Sequence, residues 1–516
     1  MGRSSAVAEV QRIGRLPQLL LPNLGAVIAA VTLFYCLFVY NGGTQLFRDS
    51  DTGWHIRNGE QILSTRTLPR TDPYSFSKAR ESWFAWEWGA DVLMGAVHRA
   101  GGLRALAALF SLAIAACLWL CCRLHFVAGG DFFLLALFAP LTVTATSLHW
   151  LARPHVLSWL FLLAALLYAE TAPLRFGPRQ AAIISGATAL WANVHASFLL
   201  APAIALVYAA GYYLRPLLWP LDRYHEWRRA RWFLFAALAS LAGSLLNPSG
   251  WRLHAHVLSY LPDSELTSRI AEFQSFNFQQ SGAVQVALTL AVALAGAILA
   301  LGQKKLAHAI LAGLLVWGGL RSARILPLVA LVALPFANRA IAEALDHVQG
   351  MRWPVQRAIR ETLAYSERVR FFDRRLSGAG FLAISVLLAL VAFYAESPGK
   401  IGFPPDRFPV AAAQAVEKLP STARILAIDS FGGYLIYRFE ARRKVYIDGR
   451  SDFYGAELMK QYLRLTEVRP GWREIVRSFG FTHALLPVDS PLHAAFAQAG
   501  WTILYKDNVA VLLEAR

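Results

Sequence analysis

The chain has 516 residues, of which 56% are hydrophobic and only 16% charged, and its mean hydropathy is +0.41. Soluble domains carry roughly 25% charged residues, so the composition excludes an ordinary water-soluble protein and indicates a polytopic membrane protein. The net charge of +17 does not point to nucleic acid, because no basic, aromatic-bearing soluble segment stands apart from the apolar runs.

A bilayer core of about 30 Å takes about 20 helical residues. Eleven apolar runs approach that length, at 19–40, 103–122, 132–148, 156–168, 181–194, 197–214, 232–246, 283–301, 306–320, 325–336 and 378–394. Pro22, Pro140, Pro202, Pro327 and Pro335 lie inside them and predict kinks. The first run is too long for a signal-peptide core and reads as a retained anchor. Placing Arg3, Arg12 and Arg15 in the cytoplasm puts every short basic loop on that side: Arg123, Arg175 and Arg179, the arginines of 215–231, Lys304 and Lys305, and those of 339–375. Cys36, Cys117, Cys121 and Cys122 all fall in apolar runs, which leaves no disulfide framework and no CxxC metal pattern.

The expected organisation is a transmembrane domain, 1–395, and an extracytoplasmic domain, 396–516. The first contains a long outer loop, 41–102, and a basic amphipathic cytoplasmic segment, 338–377, suited to anionic lipid. Loops as long as 41–102 are usually functional; this one predicts two surface helices, 54–64 and 88–100, joined by "TLPRTDPYSF", where prolines break the helix. In the second, short β-branched runs ("ARILAI", "KVYID", "THALLPV", "WTILYKDNVAVLLEA") alternate with helical ones and predict a small α/β layer ending in a hairpin at Asp507-Asn508.

On this topology "RDSDTGWH", "ESWFAWEWGADVL", "LHWLARPH", "WANVHAS", "NPSGWRLHAH" and "GLRSAR" emerge at one face. Ionisable residues at membrane depth cost about 2.5 to 3.5 kcal/mol each on insertion scales, so their convergence indicates a site. Asp49, Asp51, Glu87, Asp91 and Glu272 supply candidate bases or metal ligands. Arg153, Arg252, Arg321 and Arg324 supply forked donors for phosphate, and His55, His155 and His195 can orient groups or share protons. Carboxylate and guanidinium beside a bilayer suit a lipid-phosphate substrate.

"DTGWHIR", 51–57, resembles the D-x-x-(aromatic)-H-x-R signature in the first outer loop of the oligosaccharyltransferase catalytic subunit, and more broadly the GT-C class of membrane glycosyltransferases. The continuation "GEQILSTRTLPRTDPYSF" is similar to a set of uncharacterised bacterial GT-C-like proteins. The resemblance implies a GT-C-like helical fold in a bacterial inner membrane with a periplasmic C-terminal domain. It implies sugar transfer from a polyprenyl-phosphate-linked donor to a glycan, lipid or protein acceptor, with Asp51 as catalytic base or metal ligand and Asp49 as its partner. "DSFGGYLIYRFEARRKVYIDGRSDFYG" resembles the region of that subunit's Trp-Trp-Asp-Tyr-Gly motif, which implies acceptor contacts from Tyr434, Asp448 and Arg450. Setting Gly433 on the motif glycine puts Phe431 at its aspartate, and the tryptophan pair is missing.

The second outer loop, "SLHWLARPHVL", has no acid where many metal-dependent relatives carry a pair. Two alternatives stay open. Asp49 and Asp51 with a histidine or Glu272 hold Mg²⁺ or Mn²⁺, which favour oxygen ligands, or Arg153, Arg252 and Arg324 with His155 and His195 take the donor phosphate without a metal. A non-catalytic lipid-glycan carrier or flippase would need charges in mid-span, and the mid-spans are nearly charge-free. A metal-independent ligase of the O-antigen type is the remaining enzyme alternative.

Overall fold

The computed structural model describes residues 14–260, 264–268, 270–348, 352–396 and 401–516; Arg3 and Arg12, used above to orient the chain, lie outside them. Five helices are long and apolar enough to cross a membrane: Trp88–Val127, Ala196–Leu218, Ala283–Gly302, Ala323–Asp346 and Ala379–Glu396. A sixth arises if Leu24–Val39 and Asn41–Phe47, bent by 89°, count as one, and Phe132–Ser147, Pro154–Glu170 and Leu306–Arg321 are shorter apolar helices. The architecture is therefore multi-pass and helical, with fewer full-length spans than the eleven expected. The shortfall has a local cause: Arg223–Ser244, for example, opens on "RYHEWRRAR" and is too polar along its first half.

Ala323–Asp346 also overruns its expected end at 336 and takes up the first part of the segment assigned to the cytoplasmic surface. It is one of the most enclosed helices, whereas Ala379–Glu396 packs at the edge with one buried residue, Phe393.

Segment 41–102 holds Asp51–Thr65 and the first part of Trp88–Val127, a 40-residue helix interrupted at Gly101 and Gly102. The two helices cross at glycines. A Cβ on Gly59 would overlap the Asp91 carbonyl, and one on Gly95 would meet Gly59 Cα at 2.9 Å. That approach buries His55 and Asn58 against Asp91.

The C-terminal segment forms a four-stranded sheet in the order β1 (Ile425–Ala427), β2 (His483–Pro487), β4 (Ala510–Glu514), β3 (Thr502–Lys506), with β1–β2 parallel and the other pairs antiparallel. The hairpin lies where expected, because Asp507 Oδ1 accepts from Val509 N at 2.7 Å and Ala510 N at 2.8 Å and closes the turn. "KVYID" is not a strand of this sheet. It makes one isolated bridge, Val445 to Ser75, and runs along the outer loop into the site. One continuous apolar core joins the bundle to the sheet, from Leu33 and Phe110 through Phe47 and Phe403 to Leu513.

Candidate active site

The bend after Leu24–Val39 sets the site. Gly42 and Gly43 take positive φ (58° and 83°), which glycine adopts without a Cβ penalty, and the chain turns sharply before Arg48. The Arg48 guanidinium donates to the Ser147, Leu148 and Trp150 carbonyls at 3.0, 2.8 and 3.2 Å. Thr52 Oγ1 donates to Ala152 O at 3.1 Å, and Ala152 N to Leu46 O at 2.8 Å. These bonds lace "RDSDT" to "HWLAR", so that Arg153 stands beside Asp49 and Asp51.

Three carboxylates meet on that arginine. Arg153 Nη1 lies 2.7 Å from Asp49 Oδ2 and 3.1 Å from Glu272 Oε1, and Nη2 lies 2.8 Å from Asp51 Oδ2. Arg324 approaches the other Glu272 oxygen at 3.6 Å. Burial raises Glu272, but Arg153 and Arg324 more than reverse this and hold it below the usual carboxylate range. Asp51 behaves differently. Burial pushes it up to about 7, Arg153 pulling down and Asp49 adding to the rise. A carboxyl that titrates near neutrality is suited to general-base work.

Glu87 forms a second centre on the same cavity. Burial and Asp91 push it up to about 8, so it stays protonated at neutral pH. His55 Nε2 lies 3.7 Å from one of its oxygens and His195 Nε2 3.4 Å from the other. Both imidazoles are kept neutral, first by burial and then by Arg153 and Arg324 respectively. His55 Nδ1 bonds Asp91 Oδ1 at 2.5 Å, and Asn58 Nδ2 donates to Asp91 Oδ2 at 2.6 Å. Ser197 N donates to His195 Nδ1 at 3.1 Å, which assigns the ring proton to Nε2, facing Glu87.

The C-terminal segment closes the cavity, which has a volume of about 450 Å³ and is lined by Asp49, Asp51, Glu87, Arg153, Glu272 and Arg324 from the bundle and by Asp429, Asp448, Gly449, Arg450 and Asp452 opposite. Its hold depends on close backbone approach. A Cβ on Gly53 would run into the Gly433 carbonyl, one on Gly433 into that of Ser50, and one on Gly449 into the Asp51 carboxylate. Arg450, 2% exposed, bonds Asp448 at 2.8 and 2.7 Å and Asp72 at 2.9 Å, and lies 4.7 Å from the Trp83 ring. His256 Nε2 lies 3.1 Å from Asp452 Oδ2 and adds a further tie.

Most of the expected site residues therefore gather. Asp49, Asp51, Arg153, His195, Glu272 and Arg324 line one cavity, with His55 directly behind Glu87. Arg252 does not join them; it is exposed on Trp251–Tyr260. His155 lies outside the lining and bonds the His149 carbonyl at 2.8 Å. Tyr434 is 4% exposed and packs with Phe403 and Phe408 at 5.3 and 5.6 Å, an apolar cluster rather than an acceptor surface. Asp448 and Arg450 reach the cavity, and Arg450 also ties Asp448 to Asp72 of segment 41–102. Glu87 is the residue whose importance the sequence understates: as one of several outer acids it carries no signal of its placement between two histidines.

The expected metal ligands Asp49, Asp51 and Glu272 converge on a guanidinium instead. Among the described residues no group of three His, Cys, Asp or Glu side chains is arranged to hold a metal ion. The donor set does not fit Mg²⁺ or Mn²⁺ while Arg153 occupies its focus.

No protein-family model and no curated protein matches the sequence. Solved structures do. The oligosaccharyltransferase AglB from Archaeoglobus fulgidus, in complex with an inhibitory peptide and a dolichol-phosphate, superposes with a TM-score of 0.56 at 12% identity, covering 90% of this chain and 69% of its own. The chain has the fold of AglB, a GT-C enzyme. The A. fulgidus enzyme tethered to an acceptor peptide containing the NVT sequon matches with a TM-score of 0.52 at 13% identity, over 90% and 69% of the two chains. Its complex with Zn and sulfate matches with a TM-score of 0.51 at 13% identity, over 90% and 68%.

Proposed function

We propose that the chain is a GT-C-type glycosyltransferase that moves a sugar from a polyprenyl-phosphate-linked donor to an acceptor at the outer face of a bacterial inner membrane. The observation that carries this reading is Asp51: a carboxyl titrating near 7, paired with Arg153, in a cavity between an AglB-like bundle and its C-terminal lid. That AglB structures hold a dolichol-phosphate and an acceptor peptide supports a lipid-linked donor and a second substrate here.

The chemistry follows from the charges. An acceptor hydroxyl or amide attacks the anomeric carbon as the sugar–phosphate C–O bond breaks, and the phosphate leaves with the bonding pair. Asp51, once deprotonated, takes the acceptor proton. Arg153 and Arg324 face the phosphate and offset its growing charge, a task for which preorganised guanidinium is suited. Glu272 aligns both arginines. Glu87, protonated and held between His55 and His195, keeps the wall behind Asp51 neutral, so that the positive potential is left to the arginines. No metal is used, because the carboxylates that would bind one are engaged by Arg153.

Purified protein in lipid nanodiscs, given a panel of radiolabelled polyprenyl phosphate and diphosphate sugars, is expected to release free lipid phosphate or diphosphate at a rate unchanged by EDTA. Intact donor that binds but is never cleaved, whichever acceptor is supplied, would replace the enzyme with a carrier. Loss of cleavage in EDTA would return the metal.

A further inference from the structure

A second polar cavity, of about 80 Å³, lies far from the catalytic one. Its separation follows from connectivity. Pro154–Glu170 begins beside Arg153 and ends in this cavity at Glu170, and Ala196–Leu218 begins at His195 and reaches it at Tyr208 and Arg215. Ala323–Asp346 carries Arg324 to one cavity and Arg339 to the other, while Leu306–Arg321 runs back from Lys305 and His308. Arg324 and Arg339 are about 22 Å apart along the axis at ~1.5 Å per residue. Three of these helices thus join the first cavity to this one at the opposite membrane boundary, and Leu306–Arg321 runs alongside them.

The cavity has the character of an anion site. Arg215, Lys305 and Arg339 line it against one carboxylate, Glu170, which is already engaged by His308 Nε2 at 2.9 Å and by the Tyr208 hydroxyl. Glu226 and Glu343, which pair with Arg215 at 3.0 Å and Arg339 at 3.7 Å, stand outside the lining. Lys305 lines the cavity beside Arg339 and Arg215, and burial together with these two cations lowers its pKa against the opposing pull of Glu343 and Glu170. Arg215 Nε is buried without an acceptor. The space, of about 80 Å³, has room for a phosphoryl group.

We infer that Arg215, Lys305 and Arg339 form a phosphate-binding site at the inner membrane boundary, filled by the headgroup of an anionic phospholipid. Basic clefts between helices at that depth recognise such headgroups. The site is independent of the transfer reaction and stands whether or not that assignment holds.

The test is native mass spectrometry of the full-length protein with phosphatidylglycerol, with phosphatidylcholine, and with millimolar inorganic phosphate as competitor. Wild type should retain phosphatidylglycerol at least tenfold better than phosphatidylcholine. K305Q/R339Q should lose that preference, K305Q alone should lose part of it, and R473Q, exposed on the C-terminal segment, should keep it. Displacement by inorganic phosphate would assign the binding to the phosphoryl group alone, and resistance to displacement would assign it to the intact lipid. Equal retention of the two lipids by wild type, or an unchanged preference in folded K305Q, would overturn the site.

Discussion

Asp51 and Glu87 show how one cavity gives two carboxyls different tasks. Both are raised by burial, but Arg153 pulls only Asp51 strongly back toward ionisation at close range, leaving it at about 7 and Glu87 at about 8. If Asp51 is the base, kcat/KM should climb as pH rises through about 7 and level off above it. Glu87 carries a stability signature of opposite sense. It binds its proton more tightly folded than unfolded, so its contribution favours the fold fully below its ordinary 4.5 and is lost as pH rises through about 8. Melting curves of Glu87→Gln against wild type should therefore shift in favour of the variant between pH 5 and 9; a difference that does not change with pH would show that Glu87 is not raised. At this scale the sequence was informative about residue type and poor about partners. "DTGWH" marked Asp51 and His55, yet nothing in "EWGAD" indicates that Glu87 would sit between His55 and His195 while Asp91 turns to His55 and Asn58.

Helices and loops decide whether those residues meet. The glycines of "DTGWH" and "DSFGGY" are contact points between Asp51–Thr65 and Asp429–Arg438, and Gly53→Ala should force the two backbones apart. Overpacking of this kind costs about 1–3 kcal/mol, to be seen as earlier proteolytic release of the C-terminal segment and a lower transfer rate. Arg450→Ala should cost more, about 3–5 kcal/mol, because it leaves Asp72 and Asp448 buried without their cation; thermal unfolding of the full chain checks it, and an unchanged melting temperature would refute the clamp. Within "DSFGGYLIYRF", Gly432 packs against Ile447, Gly433 against Ser50, and Tyr434 against Phe403 and Phe408, contacts between distant segments that no local pattern announces. The strand expected at "KVYID" failed for a related reason: its edge pairs with the outer loop, which lies more than three hundred residues away and leaves no local signal.

Over the whole molecule, composition and the 20-residue apolar period were enough to show a helical membrane protein. Among the described residues, fewer helices than the eleven apolar runs are long and apolar enough to cross by themselves, because several are short, proline-bearing or, like Arg223–Ser244, charged over half their length. The proposed orientation is open to a direct check, since all four native cysteines are buried. A membrane-impermeant maleimide should label Glu81→Cys on the outer loop of intact spheroplasts and Arg175→Cys only after permeabilisation; the reverse pattern would invert the topology and put the catalytic cavity in the cytoplasm. The AglB-like fold is shared at 10–13% identity, and in this chain Asp51 lies beneath the C-terminal segment with Arg153 at the focus of the carboxylates. The measurement that bears most directly on this account is the initial rate of lipid-phosphate release from the donor that wild type cleaves, compared with that of Asp51→Asn at equal folded concentration. A loss of about 10²- to 10⁴-fold with donor binding retained is the predicted result; an undiminished rate would contradict it and move catalysis away from Asp51.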